Sequence, residues 1–249
     1  MPQLAFVLLG RTEPIKPDGF AAALGARLGQ SLEAEASKGG EDVFSVALPN
    51  GQTAFVAFVP APVPDGEAEQ YVPYSISALG SGWELPEYPA HAMVTLMGED
   101  DIVTVEALEL FTKVVAAAVE SATAVGVYWG STGATHNAEF VLDVANAEGL
   151  LPVMLWNGIS IADGGPGRLS MLSLGMEQLG LPNLMLTTPR EQGNAAIEMM
   201  LDLLSFLIRR GEPLPDGDTI GFSEEQKLPI RYEASPIDSE SQVWCIDLP

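Results

Sequence analysis

Leu4 to Leu9 is an unbroken apolar run, short enough to read as a buried strand. Behind Asp18, the residues Phe20, Leu24, Leu28 and Leu32 recur every four positions, which predicts a helix with Asp18 as its cap. Gly25 and Gly29 weaken that helix by about 1 kcal/mol each relative to alanine, so close packing against a sheet is expected there. Val43–Leu48 and Thr53–Val59 are rich in β-forming residues and flank Pro49-Asn50-Gly51-Gln52, a hairpin signal. From Pro60 to Pro89 periodicity dissolves: six prolines and Gly80-Ser81-Gly82 leave room only for a short helix at Asp65–Tyr71.

Regular patterning resumes at His91–Gly98, a strand. A helix at about Asp101–Ser121 follows, with Val105, Leu108, Phe111, Val115 and Val119 on one face and Asp100 and Asp101 at its positive end. Ala124–Trp129 reads as a strand, Gly130–Gly133 as a loop, and Asn137–Glu148 as a helix stopped by Gly149. Val153–Ile161, Leu169–Leu174 and Leu184–Thr187 read as strands, the first two around the turn Asp163–Gly167. Thr188-Pro189-Arg190-Glu191 has the form of a capping box. It predicts a helix to Arg210 that buries Ile197, Met200, Leu201, Leu204 and Ile208. Short strands are expected near Thr219–Phe222, Leu228–Tyr232 and Val243–Ile246. Strands adjacent without helices make the class α+β, with a mixed or antiparallel sheet, ferredoxin-like βαββ units, and helices packed on the sheet. A single domain over 1–249 is expected, with sub-halves 1–130 and 131–249.

Charge changes the functional picture more than the structural one. The 249 residues carry 11 Lys+Arg against 34 Asp+Glu, a formal net charge of −23. That excludes nucleic acid and anionic membrane surfaces as partners, since both need a basic footprint. Between Lys38 and Lys113 there is no Lys or Arg, while Asp65, Glu67, Glu69, Glu84, Glu87, Glu99, Asp100 and Asp101 fall there. The acids form either a solubilising shell or an electrostatic face for a cationic partner. The single Cys245 excludes an intrachain disulfide and reads as a small apolar filler. No basic leader precedes the first apolar run, so the cytoplasm is the expected compartment.

The chemistry-bearing residues are few. No phosphate-cradling glycine loop and no nucleophile elbow occurs, and Gly164-Gly165-Pro166-Gly167 is followed by a strand rather than a helix. Two histidines and one cysteine make a dedicated transition-metal site, and any cofactor, unexpected. Asp216-Gly217-Asp218 departs from a calcium loop at Ile220 and Lys227 and reads as a turn. His91 and His136 titrate nearest neutral pH; each is a cleft residue or a hydrogen-bonded structural one. Trp129 and Trp156 line a pocket or fill the core, and Arg168 clamps an anionic ligand or a local carboxylate.

Ser173-Leu174-Gly175-Met176-Glu177-Gln178-Leu179-Gly180-Leu181-Pro182, the helix after Thr188, and Gly217-Asp218-Thr219-Ile220-Gly221-Phe222-Ser223 resemble the bacterial family catalogued as domain of unknown function 4261. Ala61-Pro62-Val63-Pro64, His91-Ala92 and Gly126-Val127-Tyr128-Trp129 are similar to longer members. The resemblance is most specific over residues 150–235, and it implies no activity or cofactor. Such proteins carry an acidic residue after Pro182, where this chain has Asn183. The expectation is a non-enzymatic, immunity- or adaptor-type acidic domain that binds a basic protein. The alternatives are a small-molecule binder or enzyme with a pocket near His91, Trp129 and Trp156, and a self-associating homo-oligomer.

Overall fold

A computed structural model describes residues 3–36, 42–98, 103–221, 227–238 and 240–249. The chain forms two compact units, Met1–Trp156 and Asn157–Pro249. The architecture is α+β, as expected.

In the first unit the order is β1 (Gln3–Leu9), α1 (Pro17–Leu28), β2 (Ala34–Ala36), β3 (Val43–Ala47), β4 (Thr53–Val59), α2 (Glu67–Gln70), β5 (Ala90–Met97), α3 (Val105–Glu120), β6 (Ala124–Trp129), β7 (Ala134–Asn137), α4 (Ala138–Asn146) and α5 (Val153–Trp156). Its seven strands pair antiparallel in the order β2-β3-β4-β5-β1-β6-β7. The crossovers β1–α1–β4 and β5–α3–β6 therefore interleave, each parallel pair enclosing a strand of the other. β7 ties residues 134–156 to this unit, whereas the sequence places its sub-half boundary at 130.

Strand alternation assigns the two sheet faces. Ala5 pairs with Trp129, whose ring meets Phe111 of α3 edge-on at 5.2 Å, so Ala5, Val7 and Leu9 look toward the helices. α1, α3 and α4 lie side by side there, bound by Arg27, which reaches Glu120 at 3.3 Å and Asn146 at 2.9 Å. α3 is buried nearly all round in its second half, beyond the single face its periodicity predicts. Thr104 caps α3, its Oγ1 accepting from the Ala107 N–H; Asp100 and Asp101 lie outside the described residues. Asp18 makes no capping bond but stands in the first turn of α1, behind Pro17. Gly25 is required because a Cβ would sit 2.5 Å from the Gln30 carbonyl oxygen; the returning chain, not the sheet, presses on it.

The opposite face is covered by the proline-rich stretch 60–89, referred to below as the strap. Val63, Ala68, Tyr71, Leu85 and Tyr88 pack against Phe6, Leu8, Val125 and Tyr128. The strap also closes the β7 edge: Thr135 N donates to the Tyr71 carbonyl, Thr135 Oγ1 to that of Ala68, and Asn137 N to Ser77 Oγ.

The second unit runs β8 (Gly158–Asp163), β9 (Arg168–Leu174), β10 (Leu184–Pro189), α6 (Gly193–Arg210), β11 (Thr219–Ile220), β12 (Leu228–Pro229), β13 (Arg231–Ala234) and β14 (Gln242–Asp247). Its sheet, β13-β14-β10-β9-β8, is mixed, with β10 and β14 parallel. Val153–Ile161 is not one strand: its first half is α5, started after Pro152, whose carbonyl accepts from Leu155 and Trp156 N–H. The capping box at Thr188 does not form. β10 stays paired with β9 through Pro189, and α6 begins only after a 3-10 turn at Arg190–Gln192. Thr188 is fully buried in the strand; Ala196, Met200, Leu203, Leu204, Leu207 and Ile208 form the buried side of the helix. Phe222 lies outside the described residues.

Candidate functional site

His91 sits on β5 on the strap side, 3% exposed, where its Nδ1 donates to the Ala61 carbonyl at 2.8 Å and its ring tilts against Phe6. Burial lowers its pKa, the Ala61 bond opposing the shift. His136, fully buried on β7, places Nδ1 2.8 Å from Ser75 Oγ, which lies 2.7 Å from Ser77 Oγ. Burial pushes this imidazole down to about 4, partly offset by the Leu155 backbone. A hydroxyl beside an imidazole is the pair nucleophilic catalysis uses. Here both groups have 0% exposure, and the pair instead pins the strap to the sheet edge.

Trp129 and Trp156 are equally buried. Trp129 fills the space beneath Phe111, and Trp156 Nε1 donates to Thr112 Oγ1 at 2.9 Å, fastening α5 to α3. His136, Trp129 and Trp156 thus gather on the helix side of β6, β7 and α3, as parts of the core, while His91 stands on the other face. Arg168 belongs to the second unit. Its guanidinium donates to the Thr187 and Leu248 carbonyls at 3.0 and 2.8 Å, holding the last residues on the sheet. In Asp216–Thr219 the carboxylates serve as turn acceptors: Asp216 from Tyr232 N–H, Asp218 from Thr219 N–H. Among the described residues, no three His, Cys, Asp or Glu side chains converge as a metal ion requires, and no helix is long and apolar enough to cross a membrane.

Two features were not evident in the sequence. Under the strap runs a row of rings: Phe6 stacks on Tyr128 at 5.5 Å, Tyr128 on Tyr71 at 5.3 Å, and Tyr71 tilts against Tyr74. Tyr128 donates its hydroxyl to Glu67 Oε1 at 2.7 Å; burial, then that hydrogen bond, raise its pKa. Tyr88 is pushed up to about 12 by burial and then by the Glu69 carboxylate. These contacts fix the strap by its inner side, while Asp65, Glu67, Glu69, Glu84 and Glu87 along it are all exposed. Asp65 is the one described non-glycine residue at positive φ, 58°, and opens the turn that leads into α2. The second feature is a groove of about 640 Å³ between α1 and the chain leading into β2, lined by Asp18, Ala21, Ala22, Gly25, Leu32, Glu33 and Ala34 among others.

Residues 172–247 match the family described as Domain of unknown function (DUF4261), which bears out the resemblance in that stretch. No curated protein and no solved structure matches the chain.

Within the matched stretch, Asn183 is 4% exposed. Its Oδ1 accepts from Met176 N–H, its Nδ2 donates to Glu177 Oε1, and its carbonyl accepts from Trp244 N–H. Glu177 in turn accepts from Gly175 N–H. Asn183 is therefore a buried donor to a neighbouring carboxylate.

Proposed function

We propose that the protein is a non-enzymatic, cytoplasmic binding module of the immunity or adaptor type, and that its partner is a basic protein. The observation that carries this is the strap. It carries five exposed acids, and the sequence holds no Lys or Arg from 39 to 112 beside them. Scattered acids act together only when the fold gathers them, because screening sets in over about 8 Å at physiological ionic strength. Packing of the strap's apolar residues onto one sheet face supports that gathering. The residues best suited to catalysis support it indirectly, since His91, His136, Trp129 and Trp156 have assigned structural partners.

Zero-length carboxyl-to-amine cross-linking to a polylysine probe of about 20 residues tests this reading, because a focused potential concentrates encounters. The expected result is adducts concentrated on Asp65, Glu69, Glu84 and Glu87. Adducts spread in proportion to exposed acids over both units would contradict it.

A further inference from the structure

The two edges of the seven-stranded sheet are treated differently. β7 is covered by the strap through three hydrogen bonds, whereas among the described residues no strand pairs with the outer edge of β2. An edge strand presents every second N–H and C=O outward, a template for another chain. Beside this edge lies the groove against α1. On the helix side, Asp18, Ala21, Ala22 and Gly25 stand at i, i+3, i+4 and i+7, one face of α1, and the small ones keep the wall low. Gly25 allows the Gln30 carbonyl to approach to a distance that no side chain would permit.

We propose that β2 accepts an extended, basic segment of a partner protein as an additional strand, with alternate side chains of that segment entering the α1 groove. This rests on the reading of the protein as a binder of basic proteins, at a place separate from the strap. Alternation places Ala34 and Ala36 on the helix side, opposite buried Val46 and Phe44, and sends Glu35 to the other side. A strand laid beside β2 would therefore put small or apolar side chains into the groove and cationic ones beside Glu35, with Asp18 and Glu33 lining the groove. Main-chain bonds supply affinity and the alternate pockets supply selectivity in this mode of recognition. The groove's 640 Å³ has the scale of a side-chain-binding cleft. A second copy of this chain is a poor occupant, because antiparallel pairing through β2 sets glutamates against glutamates, and like charges directly opposite destabilise a sheet.

The test uses the full chain and an acetylated, amidated Lys-Val-Lys-Val-Lys-Val-Lys peptide, with amide hydrogen exchange and titration as readouts. Exchange at Leu32–Ala36 should slow on binding. The same peptide N-methylated at every amide has equal charge and no main-chain donors, and should not bind there. Ala22 is exposed, so Ala22→Phe fills the groove without disturbing the core. It and Glu35→Lys should each weaken binding by about tenfold or more, the scale of a blocked pocket or an opposed charge. Protection confined to the strap, equal binding of the N-methylated peptide, or unchanged affinity in Ala22→Phe overturns the proposal. Protection in the strap alone leaves the basic-partner reading standing, and binding nowhere removes both.

Discussion

At Asn183 an amide N–H donates to the Glu177 carboxylate, where an aspartate oxygen would repel it. Replacing it with aspartate removes the donor to Glu177 and sets two carboxylates together at a site only 4% exposed. Asn183→Asp should cost about 1–3 kcal/mol at pH 7, the cost of a lost buried partner. One carboxyl of the pair would have its pKa raised above the unfolded value, so the cost is relieved as pH falls through that raised value. Urea unfolding at pH 7 and pH 5 checks this, and equal stability of the two proteins at pH 7 would contradict it. His136 gives the second residue-scale prediction. Its folded pKa near 4 lies below the unfolded value near 6.5, so the unfolded state takes up a proton first as pH falls. Stability is full above about 6.5 and declines between there and about 4, by a few kcal/mol at most. His136→Gln should show a shallower decline over the same window in parallel thermal melts; an identical slope would show that the imidazole is not responsible. Neither site was legible as such. The family resemblance marked Asn183 and imidazole chemistry marked His136, but their partners, Glu177 and Ser75, are set by a turn and by a chain crossing with no periodic trace.

Among the elements, those long enough to show a period were read nearly to the residue: β4, β6 and the middle of α3. The misses have physical causes. β2 and β7, with three and four residues, are too short to show alternation and exist because neighbouring strands supply their hydrogen bonds. α5 reads Val-Met-Leu-Trp, an apolar run equally suited to a strand, and became helical because Pro152 fixes its entry. The capping box at Thr188 failed because ladder pairing of β10 with β9 continued two residues further than propensity implied. This yields a paired prediction. Thr104→Ala removes a formed cap and should cost about 0.5–2 kcal/mol. Thr188→Val loses only a 3.4 Å contact with the Pro189 carbonyl and should cost under about 0.5 kcal/mol. Chemical denaturation of the two variants side by side decides it, and the reverse ranking would return the cap to Thr188.

Over the whole molecule, the α+β class followed from strands that adjoin without helices. What the chain order could not show is where the acids go. The stretch from 60 to 89 has no period because its prolines and glycines follow the contour of a sheet face, and its aromatic and apolar side chains, Val63, Tyr71, Leu85 and Tyr88, turn inward one by one. The acids between them are left outward. Electrostatic steering from such a face acts mainly on the association rate and fades with salt. The most direct test compares two triple variants of equal charge. Asp65→Asn, Glu84→Gln and Glu87→Gln neutralise the strap, and Glu106→Gln, Asp143→Asn and Glu148→Gln neutralise exposed acids on or beside α3 and α4. Association with the polylysine probe is followed by stopped flow from low to high salt. The strap variant should lose most of the rate and most of its salt dependence, while the helix-side variant stays close to the parent protein; equal losses in both would show a uniform acidic shell with no preferred face.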